Sequence, residues 1–165
     1  MRLVIKVVLA LVLVVGLSGC ASKFRNYQGP EVTRVVVFKQ SRLMFLMHRS
    51  AVLKAYRIDL GFAPRGHKQV SGDGKTPVGE YTIDRRNPDS EFHLSLGIDY
   101  PNEQDIENAR KLGKDPGGDI FIHGQGRVVT YMRPDWTWGC IAVTNDEMEE
   151  IYAMVRDGTP ISIYE

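Results

Sequence analysis

Several features that would place a chain in a special class are missing from this one. It has two cysteines in 165 residues, Cys20 and Cys140, so a disulfide scaffold is excluded. Neither sign of charge is in excess: 21 Lys+Arg stand against 20 Asp+Glu, which leaves no basic surplus of the kind a nucleic-acid binder shows. No apolar run reaches the roughly 20 residues that a membrane-spanning helix needs. Glycine and proline are present at 16 and 8 without a period, which excludes collagen-like and low-complexity chains, and no heptad pattern runs through the sequence. What is there is globular in composition: 43% hydrophobic, 25% charged and 9% aromatic, at a length that fits one domain.

The first nineteen residues read as an address. Arg2 and Lys6 form a positive start, Val7 to Leu17 an apolar run, and Ser18-Gly19 a small-residue end. The ending Leu17-Ser18-Gly19-Cys20 resembles a bacterial lipoprotein box. The resemblance implies that residues 1–19 are a signal peptide and that Cys20 is lipidated and becomes the mature N-terminus. With Ala21 rather than Asp next to it, the family's logic points to the outer membrane, facing the periplasm. The mature chain then has 19 basic against 20 acidic residues, and Cys140 is left as a lone thiol. Residues 21–31 are polar and close on Gly29-Pro30, which with Cys20 predicts a lipidated tether over 20–31. Eleven extended residues reach about 36 Å.

The remainder, 32–165, is predicted to be mainly β (α+β), a sandwich or curled mixed sheet with two short helices. Thr33–Lys39, Leu43–His48 and Val52–Leu60 have strand character with short breaks at Gln40-Ser41 and Arg49-Ser50. The first two runs are so apolar that cover on both faces is expected. A Gly/Pro-rich stretch follows over 61–79. Further strands are predicted at Tyr81–Ile83, Phe92–Ile98, Asp119–His123, 127–131 and Pro160–Tyr164, with a loop over 84–91. A helix over 102–112 has Asn102 as N-cap, Gly113 beyond its end and the stripe Ile106, Ala109, Leu112. A second over 146–156 opens on the Thr144-x-x-Glu147 capping box and turns Met148, Ile151, Tyr152 and Val155 inward.

The chemistry concentrates in DIFIHGQGRVVTYMRPDWTWGCIAVTN, residues 119–145. His123 ends an apolar strand before Gly124. Cys140 follows Gly139 and starts the run Ile141-Ala142-Val143. Two strand ends of one sheet can bring an imidazole to a thiol. A thiol with a pKa of roughly 8.5 needs such a base to become a nucleophile near neutral pH. Glycine before the nucleophile allows an unusual turn and leaves backbone N–H groups near an oxyanion. Zinc is not favoured, since no Cys-x-x-Cys or His-x-x-x-His spacing occurs. Nor is GDGKTP a phosphate loop, for it lacks the spacing and the helix that would follow.

His-Gly, a gap, then Gly-Cys seventeen residues on resembles the L,D-transpeptidase (YkuD) catalytic domain family. So does GDGKTPVGEYTI, which is similar to that family's G-x-x-x-T-P-x-G-x-[YF] stretch. The resemblance runs from about Val32 to Glu165. It implies an enzyme of bacterial peptidoglycan, a monomer working without cofactor or metal. Cys140 matches the nucleophile that attacks the position-three diamino acid of a tetrapeptide stem, releases D-alanine and holds a thioester. An amine acceptor then resolves it, from a second stem or a lysine-bearing lipoprotein. His123 matches the general base, Gly124 the residue whose carbonyl orients it, and Gly139 and Cys140 the oxyanion donors.

The chain departs from the common S-H-G-C-[IV]-R pattern. Thr137-Trp138-Gly139-Cys140-Ile141-Ala142 puts Trp138 for a histidine and Ala142 for an arginine, so a cation beside the nucleophile is missing. The D-W-T-x-G-C-I-A branch of the family is a better match and resembles peptidoglycan–lipoprotein amidases. A hydrolase on the same scaffold, either carboxypeptidase or amidase, is therefore the alternative, and a non-catalytic peptidoglycan-binding lipoprotein the second. Trp138, Thr137, Arg133, Arg127 and His93 are the candidate substrate contacts, with Arg85 and Arg86 as further loop cations. Trp136 flanks the same turn.

Overall fold

The computed structural model describes residues 22–126 and 134–165. The leader 1–19, Cys20, the strand expected over 127–131, Arg127 and Arg133 lie outside the described residues.

The predicted meander is present: β1 (Arg34–Phe38), β2 (Leu43–His48) and β3 (Ala51–Arg57) pair antiparallel in sequence order. Their period-two packing buries Val35, Val37, Met44 and Leu46, while the intervening residues are only half covered. One face is buried, not both as the continuous apolar runs predicted. Next come β4 (Gly79–Asn87), β5 (Ser95–Ile98), α1 (Glu103–Lys111), β6 (Phe121–His123), β7 (Ile141–Ala142), α2 (Asn145–Met154) and β8 (Pro160–Tyr164). All eight strands join one mixed sheet in the order β3-β2-β1-β8-β4-β5-β6-β7, with β1–β8 and β6–β7 parallel.

The sheet curls until its two edges meet. Beyond β3, Asp59 exchanges backbone hydrogen bonds with Ala142 of β7 (2.9 and 2.8 Å), and Leu60 to Phe62 bracket Thr137 the same way (3.1 and 2.9 Å). Both edges would otherwise present unpaired backbone groups. The irregularity between Ile83 and Arg85 gives β4 the bend that carries it between the two halves.

β4 runs four residues past its predicted end because tertiary contacts overcome the charge of Asp84-Arg85-Arg86-Asn87. Arg86 lies 3.8 Å over the Tyr152 ring and donates to the carbonyls of Tyr152 (2.6 Å) and Val155 (2.5 Å) at the C-terminus of α2. Those bonds occupy it, so it is a structural residue and not the loop cation expected. Helix α2 turns Met148, Ile151, Tyr152 and Val155 into the core as read. Helix α1 uses only the middle of its apolar stripe: Ala109 is buried, Ile106 and Leu112 are exposed, and Asp105 turns inward beside Ala109. Asp105 accepts from Tyr81 Oη (3.0 Å), the Asn102 backbone N–H (3.0 Å) and His67 Nε2 (3.1 Å), so a polar anchor decides which face docks. The Gly/Pro stretch folds round Asp73. Burial pushes that carboxyl up, but N–H groups of Gln69, Lys75 and Val70 and the Lys68 ammonium outweigh it and hold it below its usual range.

Candidate active site

His123 closes β6, opposite Ser95 on β5 and beside Ala142 on β7. It is almost fully buried, and its Nδ1 lies 2.6 Å from the carbonyl oxygen of Gly124. A carbonyl only accepts, so Nδ1 carries the proton and Nε2 a lone pair. Burial holds the imidazole below its ordinary pKa, against the opposing pull of the Gly124 bond. The ring is neutral near pH 7. Gly124 cannot carry a side chain: a Cβ there would stand 2.7 Å from Asn145 Oδ1 and 2.8 Å from the Phe92 carbonyl. The Asn145 amide holds the loop beyond it, accepting from Gln125 and Gly126 N–H (2.8 and 3.0 Å) and donating to Gly126 O (3.1 Å).

Cys140 stands at the end of a turn that the sheet closure fixes. Asp135 accepts a two-pronged bond from Arg42 (2.8 and 2.6 Å) and one from Leu60 N–H (3.0 Å). The Thr137 hydroxyl donates to the Cys140 carbonyl (2.7 Å) and accepts from Gly139 N–H (3.2 Å). Gly139 has φ +129°, and a Cβ on it would sit 2.6 Å from the Lys75 carbonyl, so space and backbone both require glycine. The Cys140 thiol donates to the Asp119 carbonyl at 3.5 Å. Burial pushes its pKa up, and the Phe121 backbone N–H pulls weakly the other way.

His123 and Cys140 line one cleft of about 300 Å³, with Phe92, Ser95, Asp119 and Phe121. Two cavities of similar size elsewhere hold neither. The pair rests as neutral imidazole and neutral thiol, each shifted by burial away from its charged form. They share the cleft without a hydrogen bond between them, because the thiol is turned to Asp119. Such pairs tighten on substrate binding. The L,D-transpeptidase catalytic domain (YkuD) model matches residues 32–163, which include every residue of this cleft. The chain belongs to that family.

A curated relative is an L,D-transpeptidase by name, YafK of Escherichia coli (strain K12), 28% identical over 127 residues. The match covers 73% of this chain and 46% of YafK, so the chain spans about half the length of that relative. Among solved structures, the helical cell shape determining protein Pgp2 of Campylobacter jejuni superposes with a TM-score of 0.63 at 25% identity, over 84% of this chain and 50% of Pgp2. An L,D-transpeptidase of Mycobacterium smegmatis shares the fold with a TM-score of 0.55 at 16% identity, over 81% of this chain and 59% of its own. The mostly β, curled sheet with two helices is the fold of L,D-transpeptidases, as the motifs implied.

Within this L,D-transpeptidase domain the expected residues take different places. Gly139 is not an available oxyanion donor, because its N–H is given to Thr137. Among the described residues the Cys140 N–H has no partner and remains available. Thr137 is buried and spends its hydroxyl inside the turn, so it shapes the backbone at Cys140 and is not free to contact a ligand. Trp138 is 71% exposed, packs its edge on Phe62 at 5.0 Å and stays outside the cleft lining. His93 was expected at the cleft; its Nε2 instead pairs with Glu149 on α2 at 2.9 Å. Arg85 lies over Phe121 and reaches Asp119 at 3.3 Å, on the cleft rim. Ala142 is buried beside a separate cavity that Arg42 and Arg57 also line.

Phe92 was missed. Its ring covers the imidazole of His123 with centroids 4.5 Å apart, and Trp136 packs beside both rings, 5.6 Å from the imidazole and 5.8 Å from Phe92. The sequence placed Phe92 in a strand, whereas the strand begins at Ser95. One signal pointed to it: it is the lone aromatic after the polar run Asp89-Ser90-Glu91.

Proposed function

We propose that this chain is a cysteine L,D-transpeptidase acting on peptidoglycan stem peptides. The observation that supports it most is a single-tautomer, neutral His123 with its Nε2 lone pair in the same cleft as the Cys140 thiol. His123 takes the thiol proton as Sγ attacks the carbonyl carbon of the position-three diamino acid. The oxygen's new charge falls to the Cys140 N–H. The C–N bond to D-alanine breaks, His123 returns the proton to the leaving amine, and a thioester remains. An amine acceptor attacks it, gives its proton to His123 and frees the thiol. With both groups neutral at rest, the proton moves during attack and not before it.

Hydrolysis shares the first half of this sequence, with water in place of the amine. Ala142 favours that second reading, since no cation stands in the motif position beside the nucleophile. The lipoprotein box extends the proposal: Cys20 anchors the domain to the outer membrane on the periplasmic side, within reach of the wall. Its likeness to a cell shape determining protein fits work on that polymer.

The test uses the full-length chain in detergent with tetrapeptide muropeptides, beside Cys140→Ala, read by mass spectrometry. The expected product is a cross-linked dimer that has lost one D-alanine, absent with Cys140→Ala. Trimmed monomer alone would establish the hydrolase. No Cys140-dependent product from any stem would remove the enzymatic reading.

A further inference from the structure

The segment predicted as a tether is docked on the domain from its first described residues. Lys23 Nζ donates to the carbonyls of Pro88 (2.5 Å) and His93 (3.2 Å), the two ends of one loop. Phe24 packs on Tyr152 of α2 with centroids 6.3 Å apart, and Arg25 binds Glu149 at 2.9 Å. Glu149 is the carboxylate that also holds His93. Burial alone would raise it, but the bonds from His93 and Arg25 bring it below its usual range.

The bracketed loop is the one that shapes the cleft. Its Ser90, Glu91 and Phe92 line it, and Phe92 covers His123. Among the described residues, apart from Lys23 and Glu149, the hydrogen bonds of the loop are short-range: Asp89 N–H to Asn87, Phe92 N–H to Ser90, and Leu94 N–H to the Phe92 carbonyl. His93 takes φ +77°, a conformation that a residue with a side chain keeps only when its surroundings impose it. An ammonium offers three donors, and bonds from a charged donor are stronger than neutral ones. One cation spanning both ends of a weakly bonded loop is therefore its main restraint.

We propose that Lys23 is a positioning residue of the active site: it holds loop 88–93 so that Phe92 stays over the His123 ring in the cleft with Cys140. The inference rests on His123 and Cys140 being the reacting pair. Lys23 touches neither and acts only through the loop. Loosening the loop admits water to the imidazole, moves its pKa back toward the ordinary value and blurs the geometry of the base.

The test measures alkylation of Cys140 by iodoacetamide in the full-length chain in detergent, from about pH 5 to 9, across the histidine and thiol ranges. Wild type, Lys23→Ala, Lys23→Arg and His123→Gln are compared, with thermal midpoints and hydrogen exchange on the same samples. Lys23→Ala is expected to slow alkylation at neutral pH about tenfold, in line with the cost of a misplaced catalytic group. It should also move the acid limb upward and speed exchange at 89–94, with the midpoint unchanged. Lys23→Arg, which keeps two donors for the two carbonyls, should restore most of the rate. A Lys23→Ala profile lying on that of wild type, or unchanged exchange at 89–94, overturns the proposal while a depressed His123→Gln profile leaves the reacting pair intact. A His123→Gln profile equal to wild type overturns the reacting pair itself, and the positioning role with it.

Discussion

The turn that carries Cys140 and the loop that covers His123 are built by different means. Residues 134–142 are joined to 59–62 by backbone ladders, clamped by the Arg42–Asp135 pair and threaded through a glycine that nothing else fits. Among the described residues, loop 88–93 has no ladder to a neighbour. Side chains hold it, the chief ones reaching it from the start of the chain and from α2. Cys140 is thus placed by the fold itself, and the surroundings of His123 by a few removable contacts. Damage to the first wall should cost stability and activity together. Damage to the second should cost activity with little stability.

The largest effect is expected from Gly139→Ala. A Cβ 2.6 Å from the Lys75 carbonyl at φ +129° must displace the turn. Activity should fall about 100-fold, and stability by about 2–4 kcal/mol in urea unfolding. Thr137→Val keeps the shape and removes both hydroxyl bonds. It should cost about 1–3 kcal/mol and roughly tenfold in turnover, because the Cys140 carbonyl and the Gly139 N–H lose their partner together. Phe92→Ala strikes the other wall. Turnover should drop about tenfold, and the acid limb of kcat/KM should rise toward the ordinary histidine range while the urea midpoint hardly moves. A fall in stability as large as that of Thr137→Val would erase the contrast between the walls.

The smallest effect is on stability against pH. The native pKa of His123 lies below its unfolded value of about 6.5, so the unfolded chain binds more protons as the pH falls. Stability from this group is therefore complete above about pH 6.5 and declines below it, down to the native pKa. His123→Gln should flatten that part of the curve, measured as thermal midpoint against pH.

Elements with a clean period were legible from the sequence. Leu43–His48 and Pro160–Tyr164 begin and end where their residues predicted, and α2 buries the face its spacing marks. Cys140 and His123 stood out because glycines beside them signal backbone that must bend or be approached closely. What failed depended on partners distant in sequence. The charged end of β4 is a strand because Arg86 finds Tyr152 and Arg85 finds Phe121. Helix α1 turns Asp105 inward because Tyr81 and His67 await it. Thr137 reads as a substrate contact and Asp135 is not singled out, yet both organise the turn once the sheet edges meet. A lysine in a polar stretch read as a tether gives no hint of the loop it reaches some sixty-five residues on.

Docking at Lys23 also sets a length. Only Ala21 and Ser22 separate it from Cys20, and three peptide steps cover at most about 11 Å, against the roughly 36 Å of the segment drawn out as a tether. Were Cys20 lipidated as proposed, this short link would keep loop 88–93 near the bilayer and limit its outward reach. Such an enzyme would discriminate by altitude as well as by chemistry. It would reach stems in the stratum of wall next to its membrane and leave identical stems farther out untouched.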